Sequence, residues 1–239
     1  MGAVLTIFQK EFRSYFQSPI AYIFLTVFLV LVHGLLFWAT GFLVIAQADL
    51  RDFFGLISII LIFFVPAISM RLWAEEMKLG TMELLMTFPV RDWEVVVGKY
   101  LAAFAIIALA ILLTLPLAIC VALFGSPDGG PIIGGYLGAL LLGAAYLAIG
   151  AWTSSTTSNQ IVSFILALLI LLIGSLGLDW IRQFSPSWLA GWLSYLSLRT
   201  HFDSISRGVV DIRDIVYYLS VIGFFVYLNV RSVESRKWS

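Results

Sequence analysis

Charge and cysteine are both scarce in this chain. Only 12% of its 239 residues are Asp, Glu, Lys or Arg, and there is one cysteine. A single thiol, Cys120, excludes an internal disulfide framework and a cysteine-based metal site. The two histidines, His33 in an apolar run and His201 in a later loop, do not suit a two-histidine metal site, so no metal is expected. Catalytic signatures are missing as well. There is no His-Glu-x-x-His zinc motif and no Gly-x-Ser-x-Gly nucleophile turn. Gly98-Lys99-Tyr100 lacks the earlier glycine and the following hydroxyl of a phosphate-binding loop. The interiors of the apolar runs hold no acidic or basic pair, whereas ion-coupled carriers need such groups inside the membrane. His33 is the one ionisable residue there, and it reads as a helix-packing residue. The chain is therefore expected to be no enzyme by itself, with no catalytic residue and no cofactor of its own. Any work it does would be driven by a partner.

Apolar surface, by contrast, is abundant. The chain is 61% hydrophobic with a mean hydropathy of +1.01, whereas a globular domain is nearer half apolar. About 20 helical residues cross roughly 30 Å of hydrocarbon. Six segments meet or approach that length: 20–46, 53–73, 100–124, 131–152, 161–178 and 212–231. The expected fold class is all-α, a polytopic membrane protein with six transmembrane helices in one domain over 1–239. Basic residues favour the cytoplasmic side. With both termini inside, nine lie on that side and five, Arg51, Arg182, Arg199, Arg207 and Arg213, on the other. The expectation is N-in and C-in. No cleavable signal is expected, because the first apolar run is about twice the length of a secretory core. Zero net charge gives no reason to expect a nucleic-acid partner.

Residues 1–19 read as an amphipathic interfacial helix. Leu5, Phe8, Phe12 and Phe16 share one face, and Lys10, Arg13 and Gln17 the other. It is either an anchor or a partner contact. The charge is concentrated between positions 71 and 99, where four basic and five acidic residues fall in 29 positions. Loops between antiparallel helices usually need about 2–8 residues, so segment 74–98 reads as a projection that docks on something soluble. Gly80-Thr81 breaks it, Thr81 is placed to cap a short helix over 82–86, and Asp92 to cap the next. Leu84, Leu85, Met86 and Phe88 offer an apolar knob.

The hydroxyl-rich turn from Thr153 to Gln160 is either a second contact or a set of helix caps. Gly134 and Gly138 form a small-xxx-small pair that serves a contact within the chain or between chains. Pro66 and Pro116 are candidate kinks. Segment 179–211 reads as a cap or re-entrant element at the outer mouth. There Trp180, Trp188, Trp192 and Tyr195 suit the membrane interface, and Asp203 is spaced to pair with Arg207.

Four sets of residues together resemble the permease subunits of type-2 ABC transporters. They are Lys10-Glu11-Phe12 with Phe16-x-Ser18-Pro19; Glu75-Glu76-x-Lys78-x-Gly80-Thr81-x-Glu83-Leu84-Leu85 with Thr87-x-Pro89-Val90 and Glu94-x-x-x-Gly98-Lys99; Asn159-Gln160; and His201-Phe202 through Arg207-Gly208-Val209-Val210 to Asp211-x-Arg213-Asp214. The likeness is greatest to the small six-span permeases associated with gliding motility and nitrous-oxide-reductase maturation. The resemblance implies a subunit of the bacterial inner membrane that works with separate ABC ATPase subunits, which carry the ATP and Mg, and with a second permease copy. Glu75, Glu76, Lys78, Gly80, Thr81, Glu83, Leu84, Leu85 and Arg91 would couple to the ATPase. Lys10, Phe12, Arg13 and Phe16 would belong to the interfacial helix, and Trp188, Trp192, His201, Asp203 and Arg207 to the periplasmic cap. Transport, mostly export, is the implied function. The alternative is a non-transporting anchor that passes ATPase motion to a periplasmic protein.

Overall fold

A computed structural model of the chain describes residues 2–39, 42, 49–82, 90–125, 127–209 and 211–236. Among them every regular element is helical. In order these are α1 (Gly2–Gln17), α2 (Ile20–Ala39), α3 (Arg51–Ser69), α4 (Ala74–Leu79), α5 (Asp92–Leu112) and α6 (Leu115–Phe124). They continue with α7 (Gly129–Thr156), α8 (Gln160–Leu172), a π-helical turn (Ile173–Gly177), α9 (Leu178–Phe184), α10 (Ser187–Leu196), α11 (Leu198–Ser206) and α12 (Ile212–Arg236). Six runs are long and apolar enough to cross a membrane: Ile20–Ala39, Arg51–Leu79, Asp92–Phe124, Gly129–Thr156, Gln160–Phe184 and Ile212–Arg236. The chain is an all-α, multi-pass membrane protein. Beyond Ala39 the expected first span lies outside the described residues, apart from Phe42.

Local chemistry sets most of the helix ends. The Asp128 carboxylate accepts the Gly130 N–H (3.2 Å) at the start of α7, and the Asn159 amide oxygen accepts the Ile161 N–H (3.0 Å) at the start of α8. The α5 cap falls one residue earlier than expected, on Arg91, because Glu94 reaches back to accept the Arg91 N–H (3.0 Å). Asp92 and Glu94 then occupy the first turn, where carboxylates favour the helix dipole. The third span is broken at Leu113-Thr114 rather than smoothly bent. Pro116 has no N–H to continue the ladder, and the Thr114 hydroxyl turns back to the Ile111 carbonyl oxygen (2.6 Å). The fifth span stays helical through Asp179 and Arg182 to Phe184, so the outer cap begins later than position 179. Ser185-Pro186 supplies the breaker.

Helix α7 occupies the centre, packed against α3, α5, α8, α11 and α12. It connects the two ends of the molecule. One end carries the charged loop and the other the α10–α11 cap. At the cap end the Gly134/Gly138 seam is filled from within the chain by α11. A side chain at Gly134 would run into the Ile205 carbonyl oxygen, and one at Gly138 would meet the Phe202 ring at 3.2 Å. Small residues here let two backbones approach, which is the main route to tight helix packing in lipid. Phe202 and Ile205 are fully buried in consequence.

This seam makes a direct prediction. Gly134→Val should force α11 off α7 and lower stability by about 1–3 kcal/mol, the usual cost of overpacking. Gly34→Ala, where an added methyl meets nothing within 4 Å, should leave the melting temperature in detergent unchanged. Equal melting of the two variants would contradict the packing.

Candidate functional site

The charged segment folds back on the bundle around one buried cation. Lys99 is 2% exposed, in the second turn of α5. Its ammonium donates to Glu76 of α4 (2.6 Å), to the Leu72 carbonyl oxygen (3.2 Å) and to Glu11 of α1 (3.4 Å). Those three bonds use all three protons of the ammonium. The fully buried Trp73 ring lies 5.2 Å from the same nitrogen, within range of a cation–π contact. Next to this cluster Arg71 binds Glu75 bidentately, through Nε (2.6 Å) and Nη2 (2.8 Å). Planar two-point pairing of this kind is the strong form of the interaction.

Two other elements support the turn between α3 and α4. The Ser154 hydroxyl, near the end of α7, accepts the N–H groups of Trp73 (3.1 Å) and Ala74 (3.2 Å) and donates to the Met70 carbonyl oxygen (3.0 Å). One side chain thereby satisfies two of the backbone donors that a helix N-terminus leaves open. Helix α1 lies along α5, and Gly98 makes that possible, since a side chain there would sit 2.8 Å from Ile7. The buried side of α1 is accordingly Val4, Ile7, Glu11 and Tyr15, and Leu5 is 56% exposed. Of the expected apolar face, Phe8, Phe12 and Phe16 are likewise half-buried, and only Leu5 departs from it. The Lys99 ammonium draws Glu11 inward beside them. Burial, and secondarily Glu11, hold the Tyr15 hydroxyl above its ordinary pKa, so it remains a donor.

The expected coupling residues therefore divide. Glu75 and Glu76 are tied to Arg71 and Lys99, whereas Lys78, Gly80 and Thr81 face outward together with the neighbouring Leu79. Gly80 closes α4 in the left-handed conformation, with φ 68°. The Thr81 hydroxyl reaches back to the Glu76 carbonyl oxygen (3.4 Å). Arg91 is exposed ahead of α5. Glu83, Leu84 and Leu85, and the helix expected over 82–86 beyond Met82, lie outside the described residues. On α1, Lys10 and Arg13 are exposed, while Phe12 and Phe16 are half-buried with ring centroids 5.2 Å apart.

At the opposite end Trp188 and Trp192 are exposed on α10, a helix without a charged or a buried residue. His201 is buried. Its Nδ1 lies 2.6 Å from the Asp214 carboxylate, its Nε2 lies 3.2 Å from the Tyr195 carbonyl oxygen, and its ring stacks on Tyr217 at 3.9 Å. A carbonyl oxygen only accepts, so Nε2 is the donor of that contact. Asp203 pairs with Arg199 (4.0 Å) and not with the expected Arg207, which is exposed. Both spacings are i, i+4, and helix geometry alone does not choose between them. Among the described residues no three His, Cys, Asp or Glu side chains group as a metal site would.

Sequence reading missed Lys99, Glu11, Arg71, Ser154 and Asp214. A usable signal existed for Glu11, which shares the i, i+4 stripe of Ile7 and Tyr15. None existed for Ser154, one hydroxyl among several.

The ion-pair cluster yields a second prediction. Lys99→Met should destabilise the protein by about 3 kcal/mol, the low end for a broken buried pair, because Glu76 is 21% exposed. Lys99→Met combined with Glu76→Gln should recover part of the loss. Strict additivity of the two changes in thermal unfolding would count against the pair.

Known proteins place the chain as follows. The family model described as ABC-2 family transporter protein matches residues 45–228, from ahead of α3 into α12. No curated protein matches the chain.

Proposed function

The chain belongs to the ABC-2 transporter family, as a transmembrane permease, and from that premise we propose that it is driven through its α4 loop by a separate ATPase. The observation that carries this reading is the asymmetry of α4. Its inner side is fastened to α1, α3, α5 and α7 by Lys99, Arg71 and Ser154. Its outer side presents Lys78 and the 66%-exposed Leu79. A push on that outer side would be passed to four helices at once. ATP and Mg would reside on the ATPase, and this chain would contribute no catalytic group.

Helix α7 supports the mechanical part of the proposal. Its 28 residues span about 42 Å at 1.5 Å each. It holds α4 through Ser154 at one end and α11 through the Gly134 seam at the other. Movement at the loop would therefore be delivered to the cap. In this reading the chain sits in a bacterial inner membrane with both termini in the cytoplasm. A second permease copy would cover the largely exposed apolar faces of the first and fifth spans. Export is the proposed direction, in keeping with the likeness to permeases of gliding motility and nitrous-oxide-reductase maturation. The same α7 connection also serves the alternative, in which the cap passes ATPase motion to a periplasmic protein and no cargo moves.

Replacing the exposed Leu79 and the expected coupling residue Glu83 tests the proposal. Leu79→Ser together with Glu83→Ala should weaken capture of the co-expressed ATPase by about 2 kcal/mol, roughly thirtyfold, the scale of an interface hot spot. Co-purification and ATP hydrolysis at wild-type levels would refute it. ATP hydrolysis stimulated by cargo in liposomes favours transport, and stimulation only by a periplasmic protein favours the alternative.

A further inference from the structure

A cavity of about 260 Å³ lies between α1 and the α3–α4 turn. We propose that it binds the zwitterionic phosphoethanolamine headgroup of a membrane lipid. The proposal requires that the chain spans a membrane, and it does not depend on what engages the outer side of α4.

Size sets the first limit. Small-molecule pockets usually run from about 300 to 1,000 Å³, so this cavity suits a headgroup and not a drug-sized substrate. Its setting is the membrane boundary. It lies where the last two turns of α1 meet the end of the second span, and Ile20, Leu72 and Leu79 supply apolar walls. The lining includes the exposed Lys10 and Ser14, so the cavity opens to the surface.

Charge sets the second limit. Lys10, Arg71 and Lys99 are balanced by Glu11, Glu75 and Glu76, leaving the lining neutral. A neutral lining with both signs present favours a neutral ligand with both signs, and gives no net attraction to a lone anion. The unused hydrogen-bonding capacity is also divided by type. Lys99 is saturated, and both Glu75 oxygens are taken by Arg71. Donors remain on the Arg71 guanidinium and the Lys10 ammonium, with the Ser14 and Tyr15 hydroxyls beside them, all suited to a phosphate. One acceptor, Glu76 Oε2, is buried and has no hydrogen-bond partner. Turned toward the cavity by a rotation of the carboxylate, that oxygen would accept from a primary ammonium. A choline group has no N–H to donate, and a glycerol headgroup brings no positive charge.

The test uses the full chain, delipidated in mild detergent and titrated with short-chain phosphatidylethanolamine, phosphatidylcholine and phosphatidylglycerol under native mass spectrometry. One phosphatidylethanolamine per chain should be retained in preference to the other two, and water-soluble phosphoethanolamine should displace it. Ser14→Ala with Tyr15→Phe removes two neutral donors and leaves the ion pairs alone. It should weaken retention about tenfold, the scale of one hydrogen bond to a charged group. Lys10→Gln, at an exposed position, gives a second variant that folding defects do not confound. Equal retention of the three lipids, or an undiminished signal in both variants, would each overturn the inference. Neither outcome bears on whether Leu79 and Glu83 engage an ATPase.

Discussion

An ammonium group that is 2% exposed has to be neutralised where it lies, and in this protein Lys99 determines much of what surrounds it. A buried charge without partners costs several kcal/mol, so the fold brings it two carboxylates and a carbonyl oxygen. These arrive from three separate places. Glu11 draws α1 onto α5, Glu76 holds α4 back toward the bundle, and the Leu72 carbonyl fixes the turn between α3 and α4. Coulomb attraction alone would not secure this geometry. The Trp73 ring beside the ammonium and the Ser154 hydroxyl on the turn backbone restrict it further. The result is a charged loop fastened along its inner side, with Lys78 to Thr81 exposed.

The opposite end is held by different means. Close backbone approach at Gly134 and the packing of Phe202 on Gly138 seat α11 against α7. Around that seam the polar groups satisfy one another. Tyr218 donates to the Leu198 carbonyl oxygen (2.6 Å), Tyr217 to that of Leu196 (2.7 Å), and Asp179 accepts from Ser197 (2.9 Å) and Thr200 (3.2 Å). His201 adds its bonds to Asp214 and Tyr195. These connections join the fifth and sixth spans to α11, and α11 to α7. Where water is scarce, each such bond also prevents the cost of an unmade one.

Hydrophobic runs made the six spans legible in the sequence, because lipid leaves few alternatives to a long apolar helix. Helix ends were legible where a side chain acts within a few residues, as at Asn159. Long-range partners were not. Lys99 and Glu11 are 88 positions apart, and Ser154 lies 81 beyond Trp73. No local pattern connects such pairs. The amphipathic pattern of α1 gave Phe8, Phe12 and Phe16 as its covered side, but not the inward Glu11, whose partner Lys99 is remote in sequence. Charge in the 71–99 segment read as surface, yet much of it is consumed inside the molecule. Among the described residues of the segment, that leaves Lys78, Leu79, Gly80, Thr81 and Arg91 as the exposed part of the candidate site.

Burial is distributed unevenly among the spans, and this bears on which parts move together. The second and fourth spans are 61% and 72% buried within the chain, while the first, fifth and sixth are 28%, 22% and 11% buried. The two well-covered spans are also the ones that carry the loop-end and cap-end fastenings. They form a stiff core, since packed interiors resist continuous deformation and shift as units. The less covered spans contact that core along one face each, and the fifth contains a π-helical turn at Ile173–Gly177. Any displacement imposed at α4 is therefore expected to pass along α3 and α7 as a rigid rotation. Lipid-facing or partner-facing spans would accommodate it, with the π turn as the natural place for the fifth to bend.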